Sequence, residues 1–264
     1  MLAKKAGLYN VNLSEPFRLS RFKVDLFCQC PRCFYLDRKL GVSKPSGAPF
    51  TLNNTVDTLL KREFDSYREK GIVHPFLKEK GIEAVPFAHP EIEDWRNNKV
   101  GIQYLHLSTN FCLYGAIDDV WLLPTGELAI VDYKAKSTTE EITLEPKRKK
   151  NGEIVKTDRY LISYQKQIEF YQWLFQMKGF KVSKTAYFVF ANALKDSESF
   201  VDRLEFERVL ISHEGDTSWI EPTIKAAFNC LNSEDLPESG HECDFCKYRA
   251  AAQAVEYIKI DEVT

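Results

Sequence analysis

Apolar positions along the chain switch between two periods. Over residues 53–70, Val56, Leu59, Leu60 and Phe64 fall on one helical face, and Gly71 follows as a stop signal. Tyr160 to Lys178 repeats the helical spacing with Ile168, Tyr171, Leu174 and Phe175, and Thr217 to Leu231 predicts a last long helix. Residues 19–40 predict a helix interrupted near Pro31. The period changes to two over 102–108, and 111–123 and 127–135 predict a hairpin turning at Pro124-Thr125-Gly126. Further strands are expected at 183–192 and 199–209. Gly41 to Pro49 reads as a linker. His74 to Asn98, with Pro75, Pro86 and Pro90, is expected to be irregular, and 137–158 to be a polar excursion. The order of helix, antiparallel strands, helix, strand and helix predicts a mixed α/β sandwich, not a doubly wound nucleotide fold. Neither GxGxxG nor GxxxxGK[ST] occurs.

Composition sets bounds on this picture. With 264 residues and 44% apolar content the chain fills one α/β domain, or a core with a small lobe. No stretch is apolar for eighteen residues and the N-terminal segment lacks the apolar run of a signal peptide. A cytoplasmic, soluble protein with no membrane partner is expected. Net charge is −2, so any polyanion must meet a local patch. One such patch is the run Lys147-Arg148-Lys149-Lys150, which also reads as a solvated loop. The seven cysteines gather at both ends: Cys28, Cys30 and Cys33 early, Cys230, Cys243 and Cys246 late. Cys112 stands in an apolar run and reads as a buried small hydrophobe.

The hairpin carries the candidate chemistry, in GAIDDV followed by IVDYKAK. Asp132 and Lys134 are two apart and share a strand face, with Val131 and Tyr133 on the other. An apolar strand does not bury charge without a partner, because the desolvation cost is high. The hairpin brings Asp118 or Asp119 beside Asp132, and a slip of one residue exchanges the two. Adjacent carboxylates repel unless a cation lies between them, and a hard ion such as Mg²⁺ or Mn²⁺ suits oxygen ligands. Lys134 beside such an ion fits phosphodiester hydrolysis, whereas alone the pair also reads as an exposed salt bridge.

These motifs, in order, resemble the PD-(D/E)XK nuclease superfamily, in particular its RecB-like branch. Gln167 and Tyr171, in YQKQIEFYQWLF, look like the branch's Q-x-x-x-Y helix motif. Upstream, Ser20-Arg21-Phe22 and Cys30-Pro31-Arg32-Cys33-Phe34-Tyr35-Leu36 are similar to a segment of its iron–sulfur members. Those are the AddB-type nucleases and the nucleases of CRISPR adaptation. The tail His241-Glu242-Cys243-Asp244-Phe245-Cys246 resembles the end of that pattern. The resemblance implies a restriction-endonuclease-like mixed sheet flanked by helices. It implies a single nuclease domain over 1–264, with a cysteine-rich lobe from 20–40 and 228–252 joining the N- and C-terminal segments.

Carried over, Asp118 and Asp132 become ligands of Mg²⁺ or Mn²⁺, with the Tyr133 carbonyl as a further ligand, and Lys134 becomes the catalytic lysine. Gln167 and Tyr171 become site-supporting or DNA-contacting residues. The implied activity is a deoxyribonuclease, exonuclease-like, working on single strands or duplex ends. The setting is DNA repair, recombination or CRISPR adaptation, with a larger complex as partner. An inactive DNA-binding or scaffold module with a structural metal site is the alternative.

The chain departs from the pattern twice. Asp57 stands where the branch carries a metal-binding histidine, and an ordinary surface aspartate is its other reading. Ala252 stands where the last cluster cysteine is expected, which makes Cys33 the natural replacement ligand, with Cys28 and Cys230 as reserves. Cys30-x-x-Cys33 and Cys243-x-x-Cys246 then hold a [4Fe–4S] cluster or, as two C-x-x-C knuckles, Zn²⁺. The basic run is expected to meet the DNA backbone.

Overall fold

The computed structural model describes residues 7–12, 14–146, 159–196, 199 and 201–261. In chain order the elements are β1 (Phe17–Ser20), α1 (Arg21–Gln29), α2 (Pro31–Arg38), α3 (Thr51–Lys70), α4 (Pro75–Glu79), β2 (Val85–Pro86), α5 (Ile92–Arg96) and β3 (Ile102–His106). There follow β4 (Phe111–Gly115), β5 (Asp119–Leu122), β6 (Leu128–Lys136), α6 (Arg159–Met177), β7 (Thr185–Ala193), β8 (Phe206–Glu214), α7 (Ile220–Asn232) and α8 (Asp244–Asp261). The chain divides into two compact units. One comprises Met1–Gly47, Leu105–Leu113 and Ser218–Thr264; the other comprises Ala48–Tyr104 and Tyr114–Thr217.

The second unit is built on a five-stranded sheet in the order β2-β5-β6-β7-β8. β6 is central, antiparallel to β5 and parallel to β7. Its residues Leu128 to Tyr133 are all buried, which is why it reads as an apolar run with little alternation. On one face α3 lays Leu60 and Phe64 against Val131, Tyr133, Val189 and Trp121. Phe64 stacks on Trp121 at 5.5 Å between ring centroids. Toward the opposite face, α6 contributes Tyr164, whose ring lies 6.4 Å from that of Phe188 on β7. α3 ends where Gly71 adopts φ 63, and its N–H bonds the carbonyls of Tyr67 and Arg68.

The first unit carries the three-stranded sheet β1-β4-β3, whose last two strands run across the unit boundaries. Ser20 caps α1, its hydroxyl accepting from the Lys23 N–H at 3.4 Å. Pro31 opens α2, and the Cys30 sulfur takes the cap position, accepting from Cys33 N–H. The mixed α/β architecture with helix-flanked sheets therefore holds, as does a cysteine group joining the N- and C-terminal segments.

Several expected boundaries moved. The strand expected over 111–123 breaks at 116–118 into β4 and β5, which belong to different sheets. At the break, Ile117 N–H leaves the ladder to bond Trp95 O at 3.0 Å. A Cβ on Gly101, at φ 65, would stand 2.5 Å from Gly115 O, so the backbones meet there only through glycine. The strand expected at 199–209 runs from Phe206 to Glu214 instead, because Val201 and Asp202 take positive φ and turn the chain. The stretch 74–98, expected to be irregular, holds two short helices and β2. Pro75 is the reason for the first of them: it occupies N1 of α4, where its missing N–H costs nothing. Cys112 is half-buried, not buried. The run Lys147–Lys150 and the rest of its excursion to Asp158 lie outside the described residues.

Candidate active site

The register settles which aspartate faces Asp132. Asp119 pairs with Val131 across the β5–β6 ladder, so Asp118, one residue earlier, falls opposite Asp132. Asp118 accepts from the Tyr133 backbone N–H at 2.9 Å. Asp132 is fully buried and its carboxylate is paired with the Lys134 ammonium. Asp132 and Lys134 thus share one face, as the spacing predicts, while Val131 and Tyr133 enter the core on the other.

Asp119 faces the core side and is also fully buried. It accepts from Arg68, from Arg96 Nη2 at 3.2 Å, from the Tyr133 hydroxyl at 2.7 Å and from Val120 N–H at 2.8 Å. Asp65 completes the network, holding Arg96 Nη1 through both oxygens at 2.9 Å. Arg96 also donates from Nε to the Asp118 carbonyl at 3.0 Å, which fixes the backbone that carries the exposed-face carboxylate. Burial and the Asp119 charge hold the Tyr133 hydroxyl well above its usual range, so it stays a proton donor to Asp119.

Asp57 on α3 meets the same place. Lys61, one turn further along α3, lies 2.8 Å from Asp57 Oδ2 and 3.2 Å from Asp118 Oδ1. Burial and the neighbouring Asp118 charge raise the Asp57 pKa, against the opposing pull of Lys61. For Lys134, burial favours the neutral amine, but the charges of Asp132 and Asp118 outweigh it and hold the ammonium. Lys134 Nζ also lies 4.8 Å from the Tyr164 ring centroid and 3.5 Å from Gln167 Oε1. Gln167 Nε2 is 3.5 Å from the Tyr171 hydroxyl. Asp57, Lys61, Arg96, Asp118, Lys134, Tyr164 and Gln167 all line one cavity of about 290 Å³, and Tyr171 is buried behind Gln167.

The expected residues are therefore close, but the three carboxylates do not close on one point. Among the described residues, the groups that gather within ligating reach of a single ion are the four cysteines. Between Asp57 and Asp118 stands an ammonium instead. The donor set nonetheless suits a hard cation. It is all oxygen, and Asp57 Oδ1 is buried without a hydrogen-bond partner. Lys61, Arg96, Arg68 and Tyr164 were not singled out from sequence. For Lys61 the signal was there, since a lysine four residues after Asp57 on a helix must share its face.

In the first unit the four sulfurs of Cys30, Cys33, Cys243 and Cys246 all lie within 4.8 Å of one another. Cys33 is 3.5 Å from Cys243 and 3.6 Å from Cys246, and Cys30 is 3.7 Å from Cys246. Burial pushes the Cys30 thiol up, but hydrogen bonds from the Gly240 and Cys33 backbone outweigh it and leave it at about 7. Burial and the adjacent sulfurs push Cys33 far up. Four thiols so close cannot all ionise without a cation among them.

A family model describing the PD-(D/E)XK nuclease superfamily matches residues 18–251. The chain belongs to this superfamily. No curated protein matches the chain. Nucleases of the superfamily use divalent metals and act on nucleic acid; of this chain's D…DYK residues, Asp118, Tyr133 and Lys134 line the cavity described above and Asp132 is buried beside Lys134. Among the described residues no helix is long and apolar enough to cross a membrane.

Proposed function

We propose that this PD-(D/E)XK chain is a Mg²⁺- or Mn²⁺-dependent deoxyribonuclease of the RecB-like branch. The observation that carries the reading is that Asp118 and Lys134 line one cavity while Asp132, opposite Asp118 in the β5–β6 register, is buried against the Lys134 ammonium. Asp57, Asp118, Asp132 and the Tyr133 carbonyl would hold the metal, which when bound activates water and neutralises the phosphate. The charges of Asp132 and Asp118 favour the ammonium form of Lys134, and in the proposed role it stabilises developing negative charge and orients water. Gln167 keeps Lys134 in place and Tyr171 backs Gln167. Arg96 and Asp119 fix the backbone at Asp118. The order of cysteine knuckle, D…DYK and Q-x-x-x-Y supports the RecB-like assignment, with exonuclease-like action on DNA strands or ends in repair, recombination or CRISPR adaptation.

The test is cleavage of single- and double-stranded DNA with Mn²⁺ or Mg²⁺, beside Asp132→Ala and Lys134→Ala. Each substitution is expected to slow cleavage by about 10²-fold or more, as for removal of one electrostatic stabiliser. Activity undiminished in both variants sinks the mechanism. A protein that binds DNA but never cleaves it returns the chain to the scaffold reading.

The cysteine site supports its own assignment. A tetrahedral ion with metal–sulfur bonds of about 2.3 Å sets its sulfurs about 3.8 Å apart. The observed separations of 3.5, 3.6 and 3.7 Å suit one Zn²⁺. In a [4Fe–4S] cluster each iron takes its own thiolate, so the sulfurs stand further apart. Elemental analysis decides between them, iron with visible absorbance overturning zinc.

A further inference from the structure

Lys61 belongs to none of the roles above, yet it is the side chain at the centre of the carboxylate group. An i,i+4 Lys–Asp pair on a helix is an ordinary surface feature. Lys61 differs in having a second carboxylate partner, Asp118, brought up at the start of β5. Its side chain is only 20% exposed, and those of Asp57 and Asp118 are 32% and 22% exposed. Its ammonium therefore sits half-buried between two of the proposed ligands. The other aspartate, Asp132, is taken up by Lys134. Each proposed carboxylate ligand thus already has a positive charge against it. Asp57 also keeps one oxygen, Oδ1, buried with no hydrogen-bond partner.

We infer that Lys61 is a resident counter-cation that a divalent metal must displace from between Asp57 and Asp118. In its place the ammonium neutralises two carboxylates that would otherwise repel each other. A metal ion entering the site needs the same oxygens, and both cations cannot occupy the space between them. Displacement here means movement of the side chain away from Asp57 and Asp118. The four-carbon stem allows this, since it pivots from α3 at the wall of the cavity. Once displaced, the ammonium remains tethered there, where the phosphate oxygens of a nucleic acid are its natural partners. The resting site accordingly binds metal more weakly than its carboxylates alone would.

This inference rests on the proposed metal site, and its test separates the two. Mn²⁺ binding is measured by calorimetry without nucleic acid, for the wild type, Lys61→Met and Lys61→Arg. Removing the competing charge is expected to tighten Mn²⁺ binding about tenfold or more in Lys61→Met, equivalent to about 1.4 kcal/mol. Lys61→Arg keeps the charge and should stay close to wild type. Without metal, Lys61→Met should melt lower than wild type, because Asp57 and Asp118 then face each other unneutralised. Added Mn²⁺ should raise its melting temperature by more than it raises that of wild type. Lys61→Gln, of similar length, is measured in parallel, and a variant that folds only with Mn²⁺ supports the inference. Wild-type uptake with unchanged or weaker binding in both neutral variants overturns the displacement and leaves the metal site standing. A wild type that takes up no Mn²⁺ overturns the site itself, and the inference with it.

Discussion

Asp119→Ala isolates what the buried network beneath the site contributes. The carboxylate is wholly inaccessible and its partners Arg68 and Arg96 are each 7% exposed at the side chain. Truncation leaves two guanidinium groups facing each other in the interior, along with the Tyr133 hydroxyl and Val120 N–H that also donated to it. Removing one partner of a buried pair costs about 3–5 kcal/mol, far more than the pair's net worth, because the two buried guanidinium groups are then left to share Asp65, which is 33% exposed. At about 2–4 °C per kcal/mol for a unit of this size, the melting temperature should fall by about 6–20 °C. Asp119→Asn retains an acceptor for Tyr133 and loses only the charge, so it should fall between. Urea titration checks the magnitude: the midpoint should drop with an unchanged m-value. A loss under about 1 kcal/mol with wild-type m would refute the claim that this ion network, and not apolar packing alone, holds β5 in place.

Two further outcomes follow from the same kind of reasoning. The His74 ring accepts from Phe76 N–H at Nδ1 and lies 2.9 Å from Glu63 at Nε2, so the folded state holds the neutral tautomer; burial lowers its pKa below the usual 6.5, against the pull of Glu63. The unfolded chain then binds the extra proton, so stability is full above about pH 6.5 and declines as pH falls through the folded value; His74→Gln should flatten that slope, and an unaltered slope counts against the assignment. Cys243→Ser should lower the bound thiolate metal measured by elemental analysis and destabilise the first unit by several kcal/mol, since metal binding is folding free energy at such sites. Mn²⁺ binding at the carboxylates should survive, and a metal-free variant of normal stability would overturn the structural role.

The motif-bearing parts of the fold were legible because their signals are local. D-x-K on an apolar strand, Q-x-x-x-Y on a helix and two C-x-x-C pairs each fit within a few residues. The helices α3 and α6 came from the 3.6 period with boundaries nearly as found. What the sequence left open was relational. Asp118 and Asp119 are indistinguishable until the β5–β6 register assigns one to the cavity and the other to the core. Arg68 and Arg96 carry no local signal of burial, and their burial follows from the carboxylates Asp119 and Asp65 that they share. The break at 116–118 was hidden because β4 and β5 are both apolar, and nothing local says that they join different sheets. The positive φ at Val201 gave no warning either, since a β-branched residue there runs against propensity.

The cysteine knuckles have a consequence for how the molecule is made. Cys33 and Cys243 are 210 positions apart. At ordinary elongation rates that interval is about 10–40 s, during which the first knuckle is out of the ribosome with no second knuckle to meet. Cys30 and Cys33 spend that time as an exposed dithiol, open to oxidation or to a premature metal partner. The carboxylate unit is complete by Thr217, before either late cysteine is synthesised. A nascent chain therefore holds the residues proposed for catalysis before it holds its second knuckle, and with the proposed thiolate metal, metal supply at the end of translation would control how much intact protein accumulates.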